Sequence, residues 1–330
     1  MKYSKILVTG SAGFIGYHLC KKLLNEGYRL IGVDNLNNYY SPILKEKRNE
    51  LLKQYSNYKF YQVDISNYNE LKKIFRENKI DLIIHLAAYA GILYSLKNPW
   101  VYEKTNFLGS LNIFELAKEF SIEKVIYASS ASVYGGNKKI PTSENDRVDN
   151  PLSLYGVTKR SVELLANAYN YLFGIKFIGL RFFNVYGEFG RPDMAFWIFC
   201  KNIMLGKPIK LRNFGKMERD FTYVEDIVDG IIKAIHYDAK NEIFNLGNDN
   251  PIKLEYAVDL IERHLGKKAM KEYVPMQPAE IVKSWADLTK SRKLLGYNPK
   301  IKFEEGIARY CRWFKENWKW IKDIKMIGEK

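Results

Sequence analysis

The chain is short of the residues that build covalently or metal-held folds. Its 3 cysteines, Cys20, Cys200 and Cys311, lie far apart in 330 residues. No pair has metal-ligand or redox-motif spacing, so a disulfide framework is excluded and a reducing cytoplasmic compartment is expected. The 4 histidines, His18, His85, His236 and His264, form no zinc-like cluster, and no metal is expected. No apolar run approaches the roughly 18 residues of a membrane span. The first residues pass from Lys5 into Ile6-Leu7-Val8 and then glycines, a strand and turn and not a signal peptide. Acidic residues are also scarce, 37 against 52 Lys and Arg, for a net charge of +15. Such an excess invites a nucleic-acid or anionic-lipid reading. No basic run with interleaved aromatics stands out, however. The lysines lie scattered on polar helix faces and crowd only in the aromatic, basic tail 312–330. Neither a nucleic-acid nor a membrane partner is expected.

Aromatic residues are plentiful, 24 Tyr, 18 Phe and 6 Trp, and 47% of the chain is hydrophobic. That is enough for a large core and excludes a disordered chain. Short apolar, β-rich runs at 5–9, 29–33, 59–62, 82–86, 124–128 and 176–180 alternate with helical patterns, among them 17–26, 70–78, 110–120 and 158–171. Alternation of this kind predicts βαβ units around a parallel sheet. After Gly187 the regularity weakens. A helix is expected at 193–205, a polar loop at 212–219, a helix at 224–236 and a strand at 242–246. Further helices are expected at 251–265, 288–295 and 303–317, with a loop at 275–278. The expected fold class is α/β: a Rossmann-like doubly wound parallel sheet with a smaller, interleaved C-terminal substrate domain. Residues 1–186 and 220–250 would form the nucleotide-binding part, and 187–219 and 251–330 the substrate part.

Thr9-Gly10-Ser11-Ala12-Gly13-Phe14-Ile15-Gly16 follows the first strand and opens the first helix. Gly10 permits the tight turn, Gly13 lets the backbone approach a pyrophosphate, and Gly16 lets helix and strand pack closely. The helix N-terminus supplies unpaired N–H groups for phosphate. Asp34 ends the second strand, eighteen residues past Gly16. A carboxylate there accepts hydrogen bonds from ribose hydroxyls and repels a 2′-phosphate, which favours NAD over NADP. Asp64, after the third strand, suits either adenine recognition or surface capping.

Tyr155 and Lys159 are four apart at a helix start, hence on one face. Ser129-Ser130-Ala131-Ser132 lies upstream, directly after a strand. A tyrosine is a poor base at a pKa of about 10. A nearby ammonium and an oxidised nicotinamide would favour its phenolate, and a serine hydroxyl can share the substrate proton. Taken together, the glycine loop, Ser130 and Tyr155/Lys159 resemble the extended short-chain dehydrogenase/reductase superfamily, whose members act on nucleotide sugars. Further matching stretches are His85-Leu86-Ala87-Ala88, Asn106 in Thr-Asn-Phe-Leu-Gly, and Arg181-Phe182-Phe183-Asn184-Val185-Tyr186-Gly187. The resemblance implies a catalytic set of Tyr155, Lys159 and Ser130. It implies a cofactor wall of Gly10, Ala12, Gly13, Phe14, Ile15, Gly16, Asp34, Asn35, Asp64, Ile65, Leu86, Ala87, Ala88 and Asn106, with Tyr155 and Lys159.

Ala131-Ser132 stands where related 4,6-dehydratases carry Asp-Glu, and Ser132 where UDP-glucuronate decarboxylases carry Glu. Without that acid, the resemblance points to an enzyme that only moves a hydride out and back at C4, a 4-epimerase. Gly190-Arg191-Pro192-Asp193-Met194-Ala195, Met217-Glu218-Arg219-Asp220-Phe221-Thr222-Tyr223 and Met276-Gln277-Pro278 resemble the UDP-glucuronate 4-epimerases. Arg191 would then hold the sugar carboxylate and Arg219 the diphosphate, with Ser130, Ser132, Asn184, Gln277 and Ser284 completing the substrate wall. Leu93 and Asn184 depart from that group, which usually has Arg and often Thr there. Ser284 is small where galactose-type enzymes vary a gatekeeper. UDP-glucose or UDP-N-acetylglucosamine is therefore the alternative substrate, and a non-catalytic NAD-binding protein the remote alternative. The implied reaction removes the C4 hydroxyl proton through Tyr155, passes the C4 hydride to NAD⁺, turns the 4-keto sugar over and returns the hydride to its other face. Lys159 would lower the Tyr155 pKa. Related enzymes are usually homodimers, and the helices at 108–120 and 157–171 are the candidate interface. Their apolar faces, with Ile113, Leu116, Leu164, Leu165 and Ala168, fit packing on the sheet equally well.

Overall fold

The computed structural model describes residues 3–277 and 280–325. Six apolar runs form β1 (Lys5–Thr9), β2 (Arg29–Asp34), β3 (Tyr58–Gln62), β4 (Leu82–His85), β5 (Lys124–Ser130) and β6 (Lys176–Phe182). β1, β4 and β5 are buried on both faces because helices cover both sides of a parallel sheet. Between these strands and beyond them come α1 (Phe14–Asn25), α2 (Pro42–Lys53), α3 (Tyr68–Glu77), α4 (Ile92–Lys97), α5 (Pro99–Tyr102), α6 (Gly109–Glu119) and α7 (Leu154–Phe173). A π-type turn, Glu103–Leu108, leads into α6. Asn67 and Ser153 cap the N-termini of α3 and α7 through their side chains, and Gly174 ends α7 in the left-handed region.

The remaining strands are β7 (Asn184–Tyr186), β8 (Ile209–Arg212), β9 (Glu218–Tyr223), β10 (Asn241–Leu246), β11 (Pro251–Lys253), β12 (Lys271–Val274) and β13 (Lys283–Ser284). Their helices are α8 (Ala195–Leu205), α9 (Val224–His236), α10 (Leu254–Leu265), α11 (Phe303–Glu316) and α12 (Trp318–Ile321). The main sheet has seven strands in the order β10-β6-β5-β4-β1-β2-β3. Every pair in it is parallel. This is the doubly wound arrangement expected, with β10 returning after an excursion of the chain. Strands β7 and β9 pair with each other in a second, four-stranded sheet that also holds β11 and β13. A separate aromatic core built on Trp197, Phe303, Tyr310 and Phe314 lies under this smaller sheet.

Three expectations are corrected. The stretch 212–219 is not one polar loop, because Arg212 ends β8 and Glu218-Arg219 open β9. The helix expected at 251–265 starts only at Leu254, since Pro251–Lys253 pairs antiparallel with β9. The helix expected at 288–295 is shorter, ends in a π-type turn at Ser291–Leu295, and stops at left-handed Gly296. The basic tail is also less open than its composition suggests. Trp313 and Trp320 pack against Phe189, and Lys47 lies over the Trp320 ring. Residues 326–330 lie outside the described residues. No helix among the described residues is long and apolar enough to cross a membrane.

Candidate active site

The order in which strands are added to the main sheet reverses between β1 and β4, and such switch points open a crevice at the carboxyl ends of strands. A cavity of about 700 Å³ lies there and runs from the glycine loop to Arg219 and Ser284. At one end Gly10, Gly13, Phe14, Ile15 and Gly16 line it, with Asp34, Asn35, Ile65, Leu86, Ala87 and Ala88. The turn needs its glycines. Gly10 has φ +72°, and a Cβ there would lie 2.8 Å from the Ala87 amide nitrogen; a Cβ on Gly16 would run into the Gly10 carbonyl oxygen. The loop is thereby closed down on β4, and the first amides of α1 face the cavity beside a buried carboxylate at the end of β2. This donor set fits a dinucleotide, whose pyrophosphate takes the helix N-terminus and whose ribose takes Asp34. Burial pushes the Asp34 carboxyl up, while Lys45, the Leu36 and Ala12 amides and Arg48 pull it back.

Three residues expected on the cofactor wall do not line the cavity. Ala12 is fully buried and gives its carbonyl to Arg48. Asp64 is turned aside; it accepts from Asn35 Nδ2 at 2.9 Å and from the Ser66 amide and hydroxyl. Those hydrogen bonds outweigh its desolvation and hold the carboxyl below its usual range. Asn106 is buried behind the wall and clamps the segment after β4. Its Oδ1 accepts from the Tyr89 amide at 2.8 Å, and its Nδ2 donates to Tyr89 O at 2.9 Å and Thr158 Oγ1 at 3.1 Å. The polar groups of all three are engaged by neighbouring protein groups, so their reach to a ligand is indirect.

Tyr155, Lys159, Ser130 and Ser132 all meet the cavity. β5 ends at Ser130, whose Oγ accepts from the Ser132 amide at 3.1 Å, and the first turn of α7 brings Tyr155 opposite it. Burial raises the Tyr155 pKa; the Ser130 hydrogen bond and the Arg191 guanidinium act against that rise. Lys159 was expected to lower it, but its ammonium is turned into the sheet and donates to Ala128 O at 2.8 Å. Burial pushes Lys159 down to about 8, against the pull of Glu163. Glu163 is itself held by a two-pronged pair with Arg181, at 2.8 and 2.9 Å, and by Ser129 at 2.6 Å. That buried network fixes the floor under Lys159.

At the far end Asn184, Arg191, Arg219 and Ser284 line the cavity. Arg191 pairs with Asp193, through Nε to Oδ1 at 2.9 Å and a close Nη2–Oδ2 contact, and Nη2 also meets Ala90 O. Burial weakens its charge, but the Asp193 carboxylate more than offsets this and keeps the guanidinium ionised. Tyr39 completes the group by donating to Asp193 Oδ2 at 3.1 Å. Arg219 Nη1 donates to Glu218 O at 3.0 Å and Val282 O at 2.9 Å. Gln277 does not face the cavity; its amide oxygen is taken by Arg212. Pro278 of the same motif lies outside the described residues. Sequence reasoning missed Tyr39, Lys45, Tyr89, Tyr94, Asp193 and Glu280, all on the wall. The run Asp34-Asn35-Leu36-Asn37-Asn38-Tyr39-Tyr40 was the available signal: a polar, aromatic connection straight after the ribose carboxylate.

Comparison with known proteins agrees with this geometry. Residues 6–247 match the model of the NAD dependent epimerase/dehydratase family. An uncharacterised protein of Methanocaldococcus jannaschii is 60% identical over 97% of this chain and 99% of its own. The UDP-glucuronate 4-epimerase of Thermodesulfobacterium geofontis is 46% identical over 97% of this chain and 99% of its own. The crystal structure of UDP-glucuronic acid 4-epimerase from Bacillus cereus, in complex with UDP-glucuronic acid and NAD, superposes with a TM-score of 0.89. It is 35% identical and covers 94% of this chain and 99% of that one. The glycine loop on its reversal point, the Ser130–Tyr155–Lys159 cluster and these matches give one result: the chain belongs to the NAD-dependent epimerase/dehydratase family.

Proposed function

We infer that the protein is an NAD-dependent 4-epimerase of a UDP-hexose, interconverting UDP-glucuronate and UDP-galacturonate. One observation carries the choice of sugar: Arg191 stands on the cavity wall close enough for its charge to act on Tyr155. A base for the C4 hydroxyl and a cation beside it suit a sugar whose next ring carbon bears a carboxylate. The relatives above, which act on or hold UDP-glucuronic acid, support the reading.

In this reading the glycine loop and Asp34 hold NAD, and Arg219 lies toward the sugar diphosphate. Bound NAD⁺ supplies a reversible hydride acceptor and a positive charge beside Tyr155. Tyr155 takes the proton of the C4 hydroxyl, and Ser130 orients that hydroxyl and shares the proton. Lys159 stays protonated at neutral pH and holds the ribose side of the cofactor. The C4 ketone of a uronic acid is a β-keto acid, prone to lose CO₂. Arg191, locked by Asp193 and Ala90, holds the carboxylate so that the breaking bond stays out of line with the carbonyl. Ser284, small and on the wall, leaves room at the sugar end, which favours UDP-N-acetylglucosamine or UDP-glucose as the second reading. Assaying the three sugars side by side decides between them. We expect kcat/KM for UDP-glucuronate at least about tenfold above the others, since a lost charged hydrogen bond costs roughly 1.5–3 kcal/mol. Faster turnover of UDP-glucose sinks the assignment.

The same reading divides the chain into a nucleotide part, residues 1–186 and 220–250, and a sugar part, and places the protein in the cytoplasm, where its three buried free thiols persist. A homodimer fits the helix surfaces. Ile113 and Leu116 are used up in the sheet core, whereas Leu164, Tyr171 and Leu172 of α7 stand exposed. Light scattering is expected to give twice the chain mass, and Leu164→Arg with Leu172→Arg to give the monomer. A monomeric parent protein would rule the interface out.

A further inference from the structure

Arg48 on α2 is fully buried, yet among the described residues no carboxylate pairs with it. Its two terminal nitrogens reach main-chain oxygens of two separate loops and one tyrosine hydroxyl, while Nε is buried without a partner. Nη1 donates to Ala12 O at 3.0 Å and to Tyr40 Oη at 2.8 Å. Nη2 donates to Phe189 O at 2.5 Å and Gly190 O at 3.3 Å. Ala12 lies inside the glycine loop, and Gly190 immediately precedes Arg191. One planar fork therefore sets the spacing between the cofactor loop and the loop that carries the carboxylate-facing cation. The second loop is bent to meet it: Phe189 has φ +53°, a left-handed conformation that a side chain rarely adopts. A neighbouring contact does the same for the preceding residue. His18 on α1 reaches Glu188 O through Nε2 at 2.8 Å, and because a carbonyl only accepts, that nitrogen carries the hydrogen. Burial holds the ring down to about 4, so it remains neutral in the working range. Three successive carbonyls, 188 to 190, are thus held by two helices of the nucleotide-binding half.

We propose that Arg48, assisted by His18, is a positioning residue for uronate recognition: it fixes Arg191 relative to the glycine loop, and so sets where a C5 carboxylate sits above the cofactor. The proposal rests on the UDP-glucuronate reading. A buried arginine that merely held the fold together would affect every substrate alike. One that registers Arg191 affects the sugar with a carboxylate and acts through Arg191. Displacing a reacting group by about 1 Å costs on the order of 100-fold.

The test compares Arg48→Met, Arg48→Lys and His18→Asn with the parent protein on UDP-glucuronate and UDP-glucose, with thermal midpoint and bound nucleotide measured on each. Arg48→Met should lose about 100-fold in kcat/KM on UDP-glucuronate and less than about threefold on UDP-glucose, and should release more CO₂ per turnover. In an Arg191→Met background the same change should cost less than about threefold, because the residue it acts through is gone. His18→Asn should move selectivity in the same direction by a smaller factor, which keeps the idea testable if Arg48→Met does not fold. Equal losses on both sugars, or full additivity with Arg191→Met, would overturn the positioning role while leaving the substrate assignment intact. A parent protein inactive on UDP-glucuronate would overturn both.

Discussion

Tyr155→Phe is expected to lower kcat by about 1,000-fold, in the middle of the range for removing a positioned general base, with nucleotide still bound. Phenylalanine keeps the ring, which packs edge-on against Tyr102 at 6.2 Å between centroids, and deletes only the hydroxyl that faces Ser130. The protein alone does not make that hydroxyl a base. Burial raises its pKa above the usual 10, and only the Ser130 hydrogen bond and Arg191 oppose it. In this reading the fall would come from the positive cofactor once bound, so Tyr155 is held in reserve until the site is loaded. The pH profile follows. The active form of Tyr155 is deprotonated, so the rate rises with pH on its limb. The active form of Lys159 is protonated, so the rate falls as pH climbs through about 8, where burial has moved that group. Tyr155→Phe should lose the rising limb and keep the falling one. A variant retaining more than a few per cent of C4 interconversion would remove Tyr155 from the mechanism.

Arg191→Leu is the second large effect. It should cut kcat/KM for UDP-glucuronate by roughly 100-fold, since a charge-assisted hydrogen bond from Nη1, the nitrogen that Asp193 and Ala90 O leave free, is worth up to about 3 kcal/mol, while UDP-glucose changes by only a few fold. The guanidinium is not free to roam; Asp193, Ala90 O and Tyr39 fix its plane. Its removal has two separable results. Substrate binds less well, seen in KM, and the keto acid that does form is no longer held out of line, seen as CO₂ released and a pentose nucleotide formed. Leucine also strands Asp193, so a modest loss of thermal stability is expected. Unchanged selectivity between the two sugars would remove Arg191 from carboxylate binding.

The chemistry-bearing stretches were legible because each obeys a local rule. The three glycines are spaced by backbone contact, and Asp34 by the length of one βαβ step. Tyr155 and Lys159 are paired by one helical turn, and all six residues reach the cavity. What could not be read was the routing of polar side chains whose partners lie far away in sequence. Asn106 answers to Tyr89 and Thr158, Gln277 to Arg212, and Lys159 to Ala128. For Asn106 and Gln277 a partner brought near only by the fold outcompetes the ligand role that the motif suggests; Lys159 keeps its place on the cavity wall with part of its donor capacity spent on the sheet. Arg48 is the sharpest instance. In sequence it is one more cation in the polar helix Pro42–Lys53, and nothing local reveals that it is fully buried. The edges of β9 and β11 were misjudged for a related reason: short polar strands carry no period of their own and exist because a neighbour pairs with them.

The late return of β10 to the main sheet also has a consequence for synthesis. β6 pairs with β10 along six residues, Phe177 to Phe182, and until residue 246 emerges that side of the sheet is an open edge flanked by Ile178 and Leu180. About 60 residues separate the end of β7 from the end of β10, roughly 3 to 12 seconds of translation at 5–20 residues per second. During that interval the nascent chain presents an unpaired apolar strand, the type of surface that invites wrong partners. A fragment stopped at residue 186 would keep every nucleotide-binding motif and still carry that exposed edge permanently. Chaperone demand should therefore peak at this stage of synthesis, and truncation libraries should show soluble products only once the chain extends past β10.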